Sequence, residues 1–303
     1  MAGSLLSCRD LSHDAEAGKI RFSDLLARGD EILRRAGVET ARLDSELILA
    51  HVLNADRARV ISRLPDHVPG EVVARFFSLV KRRAAREPLA YITGVKEFYS
   101  LEFRTTPDVL IPRPETETVV DAVVELYDPG SRISALDVGT GSGAIAIALA
   151  HCFPGWRITA VDKSERALSI AEENAGANEV DDRIAFKTSD VFSALPEERF
   201  DLIVANPPYV REEDKENLAP ELEYEPCEAL YAGPDGLDVA QKILEEARER
   251  LSGGGMVVME IGDGQASRVH RIAEEKGFYK NIRFKRDLHG IERVLLAERK
   301  SRG

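Results

Sequence analysis

The order of apolar and polar positions changes character twice along the chain. Val72, Val73, Phe76, Phe77 and Val80 recur at the spacing of one helical face. Leu43, Leu47 and Ala50 read as the face of the preceding helix, and Gly37, Pro65 and Pro69-Gly70 punctuate the segment. Residues 22–87 therefore predict a small all-helical unit, preceded by a polar, frayed end over residues 1–18. Between residues 89 and 111 the pattern turns β-favouring. Tyr91, Ile92, Phe98, Tyr99, Leu101, Phe103, Val109 and Leu110 predict strands or a hairpin, with turns at Gly94 and Pro107-Asp108. Pro112 and Pro114 then open a helix expected to run to about Tyr127.

From Ile133 onward, strand and helix patterns alternate. Strands are predicted over 133–138, 157–161, 184–187, 200–205 and 256–261, with two late strands near 279–285 and 291–297. Helices are predicted over 142–152, 165–177 and 266–276, and another carries Ala240, Ile243, Leu244, Ala247 and Leu251 on one face. Such alternation implies an α/β fold: a doubly wound, mostly parallel sheet with helices on both faces. Ligands of these sheets bind at the carboxyl ends of the strands. The domain reading is 1–88 helical, 89–112 a hairpin linker and 113–303 the α/β domain.

Composition narrows the class. The chain has 303 residues, 44% hydrophobic and 31% charged, which excludes a disordered or collagen-like protein. No apolar run reaches the ~18 residues of a membrane span. Arg9, Asp10 and Asp14 do not follow the basic-then-apolar layout of a signal peptide. Cys8, Cys152 and Cys227 are too scattered for a disulfide framework or a metal knuckle, so the expected compartment is the reducing cytoplasm. There are 41 basic and 53 acidic side chains, a net charge of −12. Residues 1–88 hold 15 basic and 13 acidic ones, leaving 26 and 40, or −14, for the remainder. That acidic body argues against direct DNA binding, whose affinity comes from Lys and Arg. The cluster Lys81, Arg82, Arg83 and Arg86 reads as a solvated helix end.

The run Asp137-Val138-Gly139-Thr140-Gly141-Ser142-Gly143-Ala144 falls where a strand turns into a helix. Glycines there let a ligand approach main-chain N–H groups. Asp162 ends the next strand and is placed to accept hydrogen bonds from ribose hydroxyls. Together they describe a nucleoside-cofactor site. Gly139, Gly141 and Ala144 also satisfy the dinucleotide fingerprint, so a nicotinamide or flavin enzyme stays open at this point. S-adenosyl-L-methionine is favoured by the D-x-G-x-G-x-G spacing, similar to the first motif of class I methyltransferases. Asp137, if it faces inward, would also repel a pyrophosphate.

Asn206-Pro207-Pro208-Tyr209 directly follows the buried strand 200–205. Two prolines stiffen the turn and leave its carbonyls free to accept. Asn206 Oδ1 and the Pro207 carbonyl can take both hydrogens of a planar NH₂ group, while Tyr209 packs on its face. An amide or aromatic amine is a poor nucleophile because its lone pair is delocalised. Two acceptors aimed at its hydrogens favour pyramidalisation and stabilise the positive charge that develops on nitrogen.

With both motifs in place, the sequence resembles the peptide chain release factor glutamine N5-methyltransferases, from about Phe22 onward. The resemblance rests on Glu87-Pro88-Leu89-Ala90-Tyr91-Ile92-Thr93-Gly94, on Leu110-Ile111-Pro112-Arg113-Pro114-Glu115-Thr116-Glu117, on Asp137 to Ala144, on Asn206 to Tyr209, and on Glu225-Pro226 through Gly236-Leu237. It implies methyl transfer from S-adenosyl-L-methionine, giving S-adenosyl-L-homocysteine, to the glutamine amide in the Gly-Gly-Gln tip of release factors. It implies that Gly139, Thr140, Gly141, Ser142 and Gly143 cradle the methionine part of the cofactor and Asp162 holds the ribose. Asp190 and Val191 fall at the adenine, where Val191 departs from the bulky aromatic of some relatives. The resemblance further implies Asn206, Pro207 and Tyr209 as the catalytic residues, with Asn206 touching both cofactor and substrate. Pro208, Arg113 and Glu115 join them at the substrate, and Glu117 lies near the pocket without an assigned role. The implied fold is a seven-stranded sheet with its last strand antiparallel, behind a helical substrate-recognition domain. The expected form is a monomer whose partners are release factors, with no membrane.

Asn-Pro-Pro-Tyr also occurs in adenine-N6 methyltransferases of nucleic acids, which is the alternative activity; a nucleoside-binding regulator without catalysis is a third reading. His13, His51, His67, His151, His270 and His289 form no metal-binding spacing, so no metal is expected. The acidic stretch 211–225 reads either as a lid or as a solvated loop.

Overall fold

The computed structural model describes residues 20–301 apart from Pro196 and Lys276. The frayed end expected over 1–18, with Cys8 and His13, lies outside the described residues. The chain divides into two units. The first runs to Gly94 and includes Pro220–Tyr224; the second is made of Val95–Ala219 and of the chain from Glu225 on.

The first unit is helical: α1 Phe22–Arg35, α2 Ala41–Leu53, α3 Arg57–Ser62, α4 Gly70–Ala84 and α5 Leu89–Thr93. Helix α4 buries Val72, Val73, Phe76, Phe77 and Val80, the face its periodicity predicts. Helix α2 is rotated from expectation. Of the expected face Leu43 is exposed, Leu47 half-buried and Ala50 buried, while Ala41, Asp44, Ser45, Ile48, Leu49 and Val52 are also buried. The core face of α2 carries polar residues that an apolar pattern passes over. Residues 89–93 are helical rather than strand: Pro88 starts a single turn that buries Tyr91 and Ile92 and ends at Gly94.

Asp44 explains the rotation of α2 and corrects the reading of the basic cluster. Arg83 is buried, its Nε 2.7 Å from Asp44 Oδ2 and its other arm 2.9 Å from Glu221 Oε1. Arg86 joins at 2.7 Å to the second Glu221 oxygen, and Arg82 pairs with Glu87. Arg83 and Arg86 are internal ties, whereas Lys81 and Arg82 are exposed as a solvated helix end would be. Removing one partner of a buried pair strands the other charge, at a cost of about 3–5 kcal/mol. Arg83→Ala is therefore expected to lower unfolding free energy by about 3–5 kcal/mol, read from urea denaturation. A loss below about 1 kcal/mol, the range of surface pairs, would remove this tie from the account.

The second unit opens with a hairpin, β1 Val95–Phe98 and β2 Leu101–Arg104. Its turn residues Tyr99 and Ser100 have φ of 51° and 61°. Glu117 Oε1 accepts the Tyr99 N–H at 2.8 Å and holds that turn. Residues 105–113 form no strand, contrary to the reading of Val109 and Leu110. A 3₁₀ turn Pro114–Thr116 leads into α6 Glu117–Val124, which stops short of Tyr127.

Then follow β3 Ser134–Val138, α7 Ala144–Cys152, β4 Arg157–Asp162, α8 Glu165–Ala177, β5 Ile184–Thr188 and β6 Phe200–Ala205. Short turns and α9 Cys227–Leu230 precede α10 Asp238–Arg250, β7 Leu251–Glu260, α11 Ala266–Glu275, β8 Tyr279–Arg286 and β9 Glu292–Arg299. Strand β7 starts five residues before the expected Met256, and a register shift against β6 absorbs its glycines. The acidic stretch forms 3₁₀ turns at Glu212–Asn217 and Pro220–Tyr224.

The sheet order is β5-β4-β3-β6-β7-β9-β8. Strands β3 to β7 pair in parallel, and β9 is antiparallel to both β7 and β8. Successive side chains point to opposite faces of a strand. Leu202 and Val204 accordingly pack with α6 and α7, while Ile203 and Ala205 pack with α10 and α11. The chain leaves β3 outward through β4 and β5, then returns to the other side of β3 as β6. That switch point, at the carboxyl ends of β3 and β6, is where the ligand crevice of such a sheet opens.

Candidate active site

Beyond β3 the chain turns at Gly139 and Gly141, whose φ values of +72° and +55° suit glycine. A Cβ at either would meet nothing within 4 Å, because both border an open cleft. The loop is stitched to β4: the Gly139 and Thr140 N–H groups donate to the Val161 carbonyl at 2.9 and 3.0 Å. Asp162 continues the seam, its two oxygens accepting the Gly141 and Ser164 N–H groups at 2.9 Å each. A carboxylate has about four lone-pair sites, so Asp162 keeps acceptor capacity for a ligand.

The cleft is partly open, and the space between its walls, open solvent included, is about 960 Å³. It brings together Gly139, Gly141, Asp162, Asp190, Val191 and Asn206, with Pro207 and Pro208 at its rim. Thr140, Ser142 and Gly143 do not line it. Thr140 bonds Asp137, the Ser142 carbonyl accepts from Asn174 Nδ2 at 2.9 Å, and Gly143 packs on Ile147 and Ala171.

Asp137 lies beneath the loop, 1% exposed, and is absent from the cleft wall, so its charge cannot select against a pyrophosphate there. Its Oδ2 accepts from Thr140 Oγ1 at 2.7 Å and its Oδ1 has no partner. Burial pushes its carboxyl up to about 7, against the pull of the Thr140 hydroxyl and the Ala146 N–H. The folded chain then keeps a proton that the unfolded chain releases near pH 4. This contribution to stability is complete below pH 4 and is lost as pH rises toward 7. Asp137→Asn is expected to flatten the dependence of the urea midpoint on pH between 4 and 7. A variant whose midpoints run parallel to the wild type would contradict this.

Val191 has φ +54°, a conformation that costs a β-branched residue on the order of 1–3 kcal/mol. Ser189 holds it there, its hydroxyl donating to the Val191 carbonyl at 3.0 Å and accepting from Ala194 N–H at 3.1 Å. Asp190 pairs with Lys242 at 2.7 Å.

Asn206 leaves the end of β6 beside β7, where Ala205 is in register with Met259. Its Nδ2 donates to Thr116 Oγ1 at 3.0 Å, which leaves Oδ1 as the carboxamide's free acceptor. The prolines carry the chain to Tyr209, whose carbonyl is gripped by Gln265 Nε2 at 3.1 Å. Gln265 also holds the Gly236 carbonyl at 3.1 Å. Gly236 comes so close that a Cβ would lie 2.3 Å from the Tyr209 oxygen. Val210 is bonded on both sides, to Leu230 and Ala232. The tetrapeptide is thus clamped at both ends. Tyr209 itself faces a second depression, with Gln265 and Arg268, rather than the cleft. Burial, reinforced by the charge of Glu260, pushes its phenol up to about 12.

Arg113 is engaged by Glu225, whose other oxygen accepts the Ile111 N–H at 3.1 Å. Glu115 is half-buried near Tyr209 and Glu260, and Glu117 serves the hairpin turn. Among the described residues, no cluster of His, Cys, Asp and Glu could hold a metal ion.

Comparison with known proteins decides the family. Residues 24–94 match the PrmC N-terminal domain and residues 120–275 the methyltransferase small domain. A release factor glutamine methyltransferase of Moorella thermoacetica is 40% identical over 276 residues, 90% of this chain and 98% of the relative. The chain belongs to the release factor glutamine methyltransferase family. The enzyme of that name from Coxiella burnetii is 41% identical over 86% of this chain and 93% of its own. A solved methyltransferase from Pyrococcus furiosus has a TM-score of 0.51 at 19% identity, covering 73% of this chain and 98% of that one, which shows the shared fold.

In this methyltransferase two groups beside Asn206 escape a motif-based reading. Thr116 sits inside the recognised 110–117 segment but looks like an ordinary helix-start threonine. Glu260 ends β7, 1% exposed. Its signal is an acid closing an otherwise apolar strand, Met256-Val257-Val258-Met259-Glu260, at the ligand edge of the sheet. Glu225 was visible as part of a recognised segment, but its tie to Arg113 is a long-range contact.

Proposed function

We propose that the protein transfers the methyl group of S-adenosyl-L-methionine to the side-chain amide nitrogen (N5) of the glutamine in the Gly-Gly-Gln tip of peptide chain release factors. One observation carries the reading. A rigid Asn206-Pro207 elbow, with the carboxamide oxygen uncommitted, stands on the rim of the cleft built by the glycine loop and Asp162.

The residues fit the cofactor. Gly139 and Gly141 border space that a side chain would fill, and Asp162 has acceptor capacity for ribose hydroxyls. Asp190 and Val191 line the same cleft, on the side where adenine would lie. Thr140, Ser142 and Gly143 shape the loop. When bound, S-adenosyl-L-methionine supplies a methyl group made electrophilic by its positive sulfur. Asn206 Oδ1 and the Pro207 carbonyl accept the two hydrogens of the substrate amide and turn its nitrogen lone pair toward the cleft. The same oxygens stabilise positive charge arising on that nitrogen. Holding the partners in line supplies the proximity term. The amide proton leaves to water. Pro208 shapes the wall against which the planar amide rests, and Tyr209, kept as a neutral phenol, stands behind it beside the second depression. Arg113, anchored by Glu225, and Glu115 border the substrate side.

In this reading residues 1–88 recognise the release factor, 89–112 link, and 113–303 carry the chemistry. The protein acts in the cytoplasm as a monomer. No described helix is long and apolar enough to cross a membrane. The net −14 of residues 89–303 counts against adenine in DNA as substrate. The test offers labelled cofactor to a purified release factor, to its Gln→Ala tip variant and to DNA. Label in the release factor alone is expected; label in DNA alone would overturn the proposal.

A further inference from the structure

Asn206 has two possible settings. With Oδ1 toward the cleft it accepts an amide hydrogen; flipped, it would present an NH₂ that repels one. The difference depends on Thr116, the group on the far side of the carboxamide. A threonine hydroxyl has one hydrogen to give and lone pairs to receive. If its hydrogen is taken elsewhere, it can only accept from Asn206 Nδ2; if the hydrogen is free, it can donate to Oδ1 and hold the flipped form.

Glu260 is the neighbour that can take that hydrogen. Ala205 pairs with Met259, so Asn206 and Glu260 are next in line at the edges of adjacent strands. The Glu260 carboxyl is buried; neither oxygen makes a hydrogen bond of ordinary geometry, but the Thr116 and Tyr209 hydroxyls lie close enough to act on it. An ionised carboxylate in that state is costly and draws in any donor within reach. The groups that act on it come from three elements: Thr116 and Glu115 from the turn before α6, Tyr209 from the loop after β6, and Arg293 from β9. Arg293 is itself committed to Asp287 at 3.1 Å and to the Ile261 carbonyl at 3.2 Å. Thr116 and Tyr209 are left as the hydroxyl donors.

We propose that Glu260 is a positioning residue: its carboxylate takes the Thr116 hydroxyl hydrogen, and Thr116 thereby holds Asn206 with Oδ1 facing the cleft. The inference rests on the methyl-transfer reading for its effect on rate, but its effect on Asn206 does not need it. Burial, opposed by the Thr116 hydroxyl and Arg293 and reinforced by Glu115, pushes the Glu260 carboxyl up to about 7. The arrangement therefore sets as pH rises through 7 and relaxes below it.

Two readouts test this. The first is the side-chain ¹⁵NH₂ signal of Asn206 in the protein without cofactor. It is expected to shift with a midpoint near pH 7 in the wild type, and to lose that step in Glu260→Gln and in Thr116→Val. The second is kinetic. Glu260→Gln and Thr116→Val should each lower kcat at least tenfold at pH 8, with cofactor Kd within twofold. The double variant should be no worse than either single one, because both break one chain of contacts. Thr116→Ser, which keeps the hydroxyl, should restore most of the rate. A wild type that methylates no release factor but retains the Asn206 titration would overturn the proposed function and leave this inference standing. An Asn206 signal without a step near pH 7, or one that persists in Glu260→Gln, would overturn the inference, as would additive losses in the double variant.

Discussion

Asn206→Ala is expected to lower turnover on a release factor by about 10²-fold or more, while cofactor affinity changes less than threefold. The side chain's work is done on the nitrogen as charge develops, and removing one such preorganised group costs on the order of 10²–10³ in rate. Its contacts in the resting protein are few: one bond to Thr116 and a place on the cleft rim. The fold therefore has little to lose. Asn206→Asp is a sharper variant. It keeps an acceptor toward the substrate but cannot donate to Thr116, so an intermediate rate is expected. Single-turnover rates with labelled cofactor, set beside calorimetric cofactor binding, separate the two quantities. An alanine variant within threefold of wild-type turnover would remove Asn206 from the chemistry.

The second large effect is the mirror image. Asp162→Ala is expected to weaken cofactor binding by about 10²-fold, with kcat at saturating cofactor reduced less than tenfold. Two losses combine. The Gly141 and Ser164 N–H groups lose the carboxylate that holds them, so the glycine loop loosens. The hydrogen bonds that ionised oxygens would offer to ribose hydroxyls, about 1.5–3 kcal/mol each, also go. Asp162→Asn, which retains one acceptor oxygen, should fall between. Calorimetric affinity within threefold of wild type would mean that the nucleoside lies elsewhere. The opposite splits of these two variants, rate against affinity, distinguish a catalytic group from a binding one.

The elements that bear on the site were legible to different degrees, for reasons visible in particular residues. Strand 200–205 and helix 165–177 read correctly to the residue, because the first is an apolar run closed by Asn206-Pro207 and the second an apolar helical face opened by the Ser164 cap. The glycine loop and the tetrapeptide were visible because their backbone demands leave glycine and proline in the sequence. Leu89–Thr93 reads as strand from its aromatic and β-branched content, but it is a single helical turn too short to leave a measurable period. On α2 the apolar pattern finds Ala50 but not the rest of the core face, because Asp44 is buried by its pairing with Arg83, 39 positions away. Long-range polar pairing leaves no local signature. The same blindness covers Thr116 and Glu260, whose positions beside Asn206 come from the register of β6 with β7 and the packing of the turn before α6.

Which atoms of the elbow meet the substrate decides the proposed chemistry. A crystal structure with S-adenosyl-L-homocysteine and a Gly-Gly-Gln peptide measures this directly. The glutamine nitrogen is predicted within about 3.2 Å, a hydrogen-bond distance, of both Asn206 Oδ1 and the Pro207 carbonyl oxygen, with its lone-pair side toward the sulfur. A glutamine whose nitrogen contacts neither oxygen, or whose carbonyl oxygen is held by Asn206 Nδ2 instead, would contradict the account.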